Sequence, residues 1–340
     1  MKYDGVLVRC EELQYHSEQS KDQMITLLIS NLKAALKEHN CSVGEILSKC
    51  QFLYIETSAI NDVVGIAASV FGITSISPVM MTTANAADSI SQNPAVEVEW
   101  CDENAYVSTE TIDGLGGLPT GSQGRVVCTI SGGLDSPVAS YKMMKRGCVP
   151  IFLHFDNVPY GDDSTRDLAI RQAKRLTEYV YGHEVMMYVV PHGEDLTEVL
   201  RHAPRKMTCI FCRRNMYRLA QEVALKEDAD AIVTGEIIGE QASQTTRNLH
   251  AEESAICEIP IIRPCIGDDK VDIERLAMKI RTYEFAHEAV SCCSLPPEYP
   301  TIHANLDQIV PAEKDMDMER LAKEIAEAEV IILKEGSRSD

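Results

Sequence analysis

Short apolar runs alternate along this chain with stretches in which apolar residues recur every three or four positions, a pattern that predicts strands and covering helices. Gly5 to Arg9 reads as a strand, and Asp22 to Glu38 sets Met24, Leu27, Leu28, Leu32 and Leu36 on one side of a helix. A strand near Gln51 to Glu56, a helix over Ile60 to Val70 and a strand over Ser75 to Met81 complete a small split βαβ unit. Residues 84 to 124 are polar and loop-like, and their glycine-rich end, Gly114 to Gly124, reads as a linker. Apolar strands then resume at Val126 to Ile130, Val149 to Phe155, Glu184 to Val190, Ala231 to Thr234 and Glu258 to Ile262, with helical patterns between them. The fold class this predicts is α/β, a doubly wound parallel sheet that binds ligands beyond the carboxyl ends of its strands. Ala312 to Val330 reads as an acidic amphipathic helix, a packed cover rather than a site. The expected divisions are residues 1–83, 84–124, 125–311 and 312–340.

The first strand of the second sheet runs into Ser131-Gly132-Gly133-Leu134-Asp135-Ser136, with a helical pattern beginning near Pro137. Glycines let such a loop turn tightly and approach a ligand, while unpaired N–H groups and the helix dipole attract phosphate. Pro137 suits a first helical turn, where its missing N–H is not needed. The loop lacks the lysine that a Walker-type loop carries after its second glycine. The reading that remains is a pyrophosphate-holding loop that leaves the α-phosphate open to attack, giving an adenylated intermediate and free pyrophosphate.

Composition changes this picture in three ways. The 340 residues leave room for about two domains, and apolar runs such as Val63 to Ile73 are too short and too broken by glycine to span a bilayer. With no signal-peptide pattern at the start, the chain is placed in the cytoplasm, without a membrane partner. Twelve cysteines in a chain of this length favour a reducing compartment and metal or thiol chemistry over a disulfide scaffold. The net charge of −20 means that any nucleic-acid-binding face must be local.

Four motifs in order carry a resemblance. Gly116 to Gly124 (GGLPTGSQG), Ser131 to Ser140 (SGGLDSPVAS), Gly235 to Thr245 (GEIIGEQASQT) and Ile262-Arg263-Pro264 resemble the ThiI-type tRNA 4-thiouridine synthetases, a branch of the PP-loop ATP pyrophosphatases. The resemblance covers residues 112 to about 300. It implies an adenine-nucleotide α-hydrolase-like domain preceded by a ferredoxin-like domain and a THUMP RNA-binding domain, and an activity that adenylates O4 of a tRNA uridine and replaces the oxygen with sulfur. The nucleotide contacts it implies fall on Thr129, Ile130, His154, Phe155, Arg213, Gly235 and Gln244, with Ser131, Gly132, Gly133 and Ser136 around the phosphates. Asp135 matches the loop aspartate needed for adenylation, which orders Mg²⁺ and the phosphates of ATP. Lys270 matches a basic residue suited to neutralise charge during transfer. Taken alone, His154 reads as a strand-end histidine and Lys270 as a solvated helix start.

Cys209 and Cys212, directly before Arg213, would share one helix face at i and i+3, and Cys292 matches the family's sulfur-relay cysteine. Three thiolates suit a 4Fe–4S cluster with one iron left free to hold sulfide, the arrangement of the iron–sulfur branch that this pair resembles. They equally suit a persulfide on Cys292 resolved by Cys209 or Cys212, or zinc with Cys293 or His303 as a fourth ligand. The cluster is favoured, because the long bacterial form relays sulfur through a rhodanese domain for which this chain has no room. The other nine cysteines, Cys10, Cys41, Cys50, Cys101, Cys128, Cys148, Cys257, Cys265 and Cys293, read as small apolar residues.

The chain departs from the family between its two halves. Only Val96 to Asp113 looks like the final strands of a THUMP domain, and no Lys or Arg occurs between Lys49 and Arg125, a run of 75 residues. Phosphate contacts need cations, so this region is not the usual tRNA clamp. A homodimer partner together with a patch of Arg201, Arg205, Lys206, Arg213, Arg214 and Arg218 is one explanation, and an acidic surface adapted to high salt is another. The third is a small-molecule or carrier substrate thiolated by the same chemistry. On any of these the chain uses a sulfur donor, either sulfide or a persulfide carrier.

Overall fold

The computed structural model describes residues 2–241, 243–288 and 293–336. Its first half is built on β1 (Gly5–Arg9), α1 (Glu18–Glu38), β2 (Ile46–Lys49), β3 (Phe52–Glu56), α2 (Ile60–Ala67) and β4 (Ser75–Thr83). These strands pair antiparallel in the order β2-β3-β1-β4, the ferredoxin-like arrangement. Alternation along β1 sends Val6 and Val8 under α1 and α2, where they meet Leu28, Leu32, Val63 and Ile66. Leu7 faces the other way, with Phe52, Tyr54 and Val79.

The segment from 84 to 124, read as polar and loop-like with strands only over Val96 to Asp113, is structured as far as residue 113, and its strands fall within that stretch. It holds α3 (Ala84–Ile90), β5 (Glu97–Cys101), β6 (Asn104–Ser108) and β7 (Ile112–Asp113). β6 pairs with the far end of β4, β5 with β6, and β7 with the near end of β4. The β5–β6 hairpin turns back over the second face of the sheet, so that the Tyr106 ring lies 5.1 Å from that of Phe52 and 5.0 Å from that of Tyr54. β6 is buried from Ala105 to Ser108, whereas β5 stays partly exposed, with Glu97 and Trp100 outside and Glu99 paired with Arg9. Cys50 and Cys101, read as unpaired, are joined in a disulfide that ties the β2–β3 turn to the end of β5.

The second half carries β8 (Arg125–Thr129), α4 (Asp135–Lys145), β9 (Val149–Asp156), α5 (Ser164–Thr177), β10 (Val185–Pro191), α6 (Gly193–His202), α7 (Thr208–Lys226) and β11 (Ala231–Val233). α8 (Thr246–Glu253), β12 (Ile261–Ile262), α9 (Lys270–Lys279), α10 (Tyr283–His287), α11 (Leu306–Glu313), α12 (Glu319–Ala326) and β13 (Glu329–Lys334) follow. The sheet order is β12-β11-β8-β9-β10-β13, parallel except for β13. α4, α5 and α9 cover one face, α7 and α12 the other. The single helix expected over 312–330 is instead the end of α11, then α12, then an antiparallel edge strand whose Ile331 and Leu333 reach the core. The chain leaves β8 toward β9 and returns on its other side as β11, which opens a crevice at the carboxyl ends of β8 and β11.

The glycine-rich linker is pinned to both halves. Gly116 N–H donates to Ile73 O at 2.7 Å, Leu118 N–H to Lys145 O at 3.0 Å and Gly121 N–H to Gly147 O at 2.8 Å. Gly117 sits at φ +78°, and a β-carbon there would lie 2.0 Å from Lys145 O. Gly117→Ala is therefore expected to lower the unfolding free energy by about 3 kcal/mol or more, measured by urea denaturation. An unchanged midpoint would mean that the two halves are not held by this segment.

Candidate active site

Where β8 ends, the chain must reverse into α4 without side chains in the way. Gly132 sits at φ +82°, and a β-carbon there would press on Thr165 O at 3.2 Å, so the loop lies directly against the start of α5. Ser131 N–H donates to Ser136 Oγ at 3.1 Å, which closes the loop on the first turn of α4. Gln172, on the buried stripe of α5 with Thr165 and Leu168, reaches up from below. Its Nε2 donates to Gly132 O and Gly133 O, both at 2.9 Å. In a trans peptide the N–H points opposite to the preceding C=O, so the N–H groups of Gly133 and Leu134 are turned away from α5. Sequence reading missed Gln172, and the signal was present: one amide on an otherwise apolar stripe with Leu168, Ala169, Ala173 and Leu176.

A cavity of about 250 Å³ opens beside this loop. Thr129, Ile130, Ser131, Asp135 and Ser136 form one side, and His154, Phe155 and Asn157 from the end of β9 another. Thr129 Oγ1 donates to Val233 O at 3.1 Å, bracing the two strand ends at the crevice. Gly235 follows β11 and also lines the cavity, with Glu236 and Gln244. A β-carbon on Gly235 would lie 2.7 Å from Ser136 N, so this glycine lets the β11 loop seat on the start of α4. The imidazole of His154 is buried, and its Nδ1 bonds Ile130 O at 2.8 Å. A carbonyl accepts only, so Nδ1 carries the proton and Nε2 is a bare acceptor, unpartnered among the described residues. Burial lowers the pKa of this ring, and the bond to Ile130 opposes the shift.

Charge is concentrated at the two ends of the site. At the loop end Lys270, the first residue of α9, donates to Asp135 Oδ1 at 2.6 Å and to Glu240. Burial raises the pKa of Asp135, with Lys270 acting against it. The two carboxylates are oxygen donors of the kind a hard cation takes. At the floor, Arg213 and Arg263 both bond Glu236, as do Tyr217 and Thr234. Burial alone would lift the Glu236 carboxyl, but the two guanidinium groups outweigh it and hold the pKa below the usual range. Glu252, buried nearby, gains less from the same arginines, and burial pushes its pKa up to about 8.

Cys209 and Cys212, in the first turn of α7, line the cavity with Cys293, Leu295 and Pro296. Cys292, the expected third thiol, lies outside the described residues. Cys293, read as a small apolar residue, is the described cysteine of that pair and faces the cavity. Burial raises the Cys212 pKa well above the ordinary thiol value, followed by the charges of Asp195, Cys209 and Cys293. Behind it, His192 Nε2 lies 3.6 Å from Cys212 Sγ, within a buried group of Asp195, Arg320 and Glu324. Zinc with Zn–S bonds of about 2.3 Å would draw its sulfurs to about 3.8 Å of one another. Among the described residues the donor group that closes within 4.8 Å is Cys50, Cys101 and Asp102, not Cys209, Cys212 and Cys293. Cys50 and Cys101 are spent in their disulfide, and among the described residues Cys209, Cys212 and Cys293 are the cysteines that face the cavity.

The expected basic patch is largely taken apart. Arg214 is buried and bonds Glu313 through two nitrogens, at 2.7 and 2.8 Å. Arg218 also reaches Glu313, and Arg213 holds Glu236. Helical periodicity turns these three inward and leaves Arg201, Arg205 and Lys206 exposed.

Comparison with known proteins fits this geometry. Residues 121–318 match the family model described as thiamine biosynthesis protein (ThiI). The chain belongs to the ThiI family. Residues 5–77 match the ThiI ferredoxin-like domain. Among ThiI relatives, a "Probable tRNA sulfurtransferase" of Methanosarcina mazei is 41% identical over 69% of this chain and 58% of its own length. Another of that name from Methanothermobacter thermautotrophicus is 39% identical over 73% of this chain and 62% of its own. The chain thus spans less than two thirds of the length of these relatives. A solved 4-thiouridine synthetase–RNA complex with bound ATP is similar in fold, with a TM-score of 0.85, 22% identity, and coverage of 98% of this chain and 100% of the other. No described helix is long and apolar enough to cross a membrane.

Two outcomes test this geometry. Gln172→Leu removes the donor shared by two buried carbonyls, at about 1–3 kcal/mol for each group left unmet. ATP affinity by calorimetry is expected to fall about tenfold or more in a protein that still folds; unchanged affinity would mean that the loop holds its shape without Gln172. For Glu252, the folded pKa of about 8 lies above the ordinary 4.5. The native state therefore binds the extra proton, and stability falls as pH rises from about 4.5 and levels off above about 8. Glu252→Gln is expected to flatten that part of a melting-temperature profile.

Proposed function

We propose that this chain is an ATP-dependent sulfurtransferase that converts a tRNA uridine to 4-thiouridine. The observation that carries the reading is that the pyrophosphate-type loop and the thiols of Cys209, Cys212 and Cys293 line one cavity. The names of its relatives and the RNA- and ATP-bound fold neighbour support it.

In this reading residues 125–311 perform the chemistry, with residues 1–83, the 84–124 segment and the 312–340 tail around them. The adenine lies against His154 and Phe155, whose bare Nε2 and ring edge meet the base, with Arg213, Gly235 and Gln244 on the far side. The N–H groups of the Ser131–Ser136 loop and the α4 terminus hold the phosphates, and Asp135 would hold Mg²⁺, which would offset their charge. Uridine O4 attacks the α-phosphorus, the bond to the bridging oxygen breaks, and pyrophosphate leaves toward the loop with its charge met by Lys270. Sulfur then attacks C4 and AMP departs with the original oxygen. A 4Fe–4S cluster held by Cys209, Cys212 and Cys292 would supply that sulfur as sulfide on its free iron; without it, the outer sulfur of a persulfide on Cys292 attacks C4, the thiolate of Cys209 or Cys212 then breaks the S–S bond, and the resulting protein disulfide is reduced by an external dithiol before the next turnover. The site of action in this reading is the cytoplasm, and a second copy of the chain contributes to holding the tRNA.

A second reading, a small-molecule or carrier acceptor, is favoured by one observation, the 75 residues without a cation. Mass spectrometry of nucleosides and small thiols from cells lacking the protein separates the two: loss of 4-thiouridine supports the first, unchanged tRNA the second. Asp135→Ala is expected to lower RNA-dependent ATP–pyrophosphate exchange about a hundredfold or more. Cys209→Ser and Cys212→Ser are expected to keep exchange and lose sulfur insertion. Iron and sulfide in the anaerobically purified protein support the cluster; an active preparation without them leaves the persulfide route.

A further inference from the structure

Loss of Arg213, Arg214 and Arg218 from the expected patch leaves Arg205 and Lys206 exposed, and the fold sets the exposed Arg247 across from them. The segment 299–305, which follows the cavity-lining Cys293, Leu295 and Pro296 in the chain, runs between the turn at Arg205–Met207 and the start of α8. Thr301 N–H donates to Lys206 O and Asn248 Nδ2 to Thr301 O, each at 2.9 Å. Thr245 Oγ1 donates to Ile302 O at 2.9 Å and Ala304 N–H to Asn248 Oδ1 at 2.9 Å. These bonds bring Arg205 and Lys206 on one side and Arg247 on the other to the edges of one strip. All three are exposed and make no ion pair among the described residues. Tyr299 stands on the strip 71% exposed, and Ile302 51% exposed. Glu298 is the one acid between residues 293 and 305. On either side the chain leads into the cavity wall within a few residues, through Thr208 and Cys209 and through Ser243 and Gln244.

We propose that this strip is where the RNA backbone next to the target uridine docks, with Arg205, Lys206 and Arg247 on phosphates and Tyr299 under a neighbouring base. The inference rests on the reading of the substrate as RNA. A base that reacts in a cavity must leave its stack, so the strand beside it runs across the cavity rim, where unstacked bases favour an aromatic platform. The chain's total charge does not oppose this. At physiological salt charges beyond about 8 Å are largely screened, and the exposed Arg205, Lys206 and Arg247 outnumber Glu298, the acid of the segment itself.

The test is tRNA binding to the full chain by fluorescence anisotropy across a salt series. Arg205→Ala, Lys206→Ala and Arg247→Ala combined are expected to reduce the slope of log affinity against log salt by about two, and to weaken binding about a hundredfold at 0.1 M salt. The charge-keeping set Arg205→Lys, Lys206→Arg and Arg247→Lys is expected to retain the slope. Tyr299→Ala is expected to weaken binding about fivefold or more with the slope unchanged. Equal slopes for the alanine set and the parent chain overturn the proposal and leave the RNA reading intact. An equal loss on neutralising Lys33, Lys37 and Lys174, exposed on α1 and α5, also overturns it, since net charge alone would then explain the effect. A parent chain that binds no tRNA overturns the docking strip and the RNA substrate together.

Discussion

A loop that holds phosphate through its backbone must turn N–H groups toward the ligand and find other partners for its carbonyls. Here that constraint is met from below by Gln172, whose amide takes Gly132 O and Gly133 O, and from the side by Gly235, whose missing β-carbon lets the β11 loop touch the start of α4. The direction of the loop follows from these two contacts. Asp135 is then presented at the first residue of α4, where Lys270 reaches it from α9. Loop, carboxylate and lysine are one rigid arrangement because three helices and two strands converge on it.

The other end of the site is organised by paired charge. Glu236 gathers Arg213, Arg263, Tyr217 and Thr234 into a buried network, and Asp195, Arg320 and Glu324 form a second one behind Cys212 through His192. Buried ions persist only when paired, so these networks fix α7 relative to β11 and α12. They also use up arginines that the sequence offers for RNA. α12 is thus more than a cover: it delivers Arg320 and Glu324 to the back of the thiol end.

The first half of the chain meets a different problem, the exposed edge of a small sheet. β5 and β6 extend β4 and fold back so that Tyr106 fills the face left open by Phe52 and Tyr54. Acids of this stretch find partners within the same half, Glu99 on Arg9 and Glu97 on Thr111.

The sequence by itself showed most of the order of elements, because alternation, helical spacing and glycine placement are local properties that neighbours along the chain decide. It made the Ser131–Ser136 loop, the His154–Phe155 pair, Gly235 and the Cys-x-x-Cys pair legible as one set. It did not reveal α3 or the way β5 and β6 extend β4, nor Gln172, His192 or the Glu236 network, whose partners lie far away along the chain. Which way Arg213, Arg214 and Arg218 point, and that Arg205, Lys206 and Arg247 come together, was decided only by tertiary packing. A charge written in sequence has a sign but no direction, and burial against a carboxylate is what chooses between an internal ion pair and a surface open to a partner.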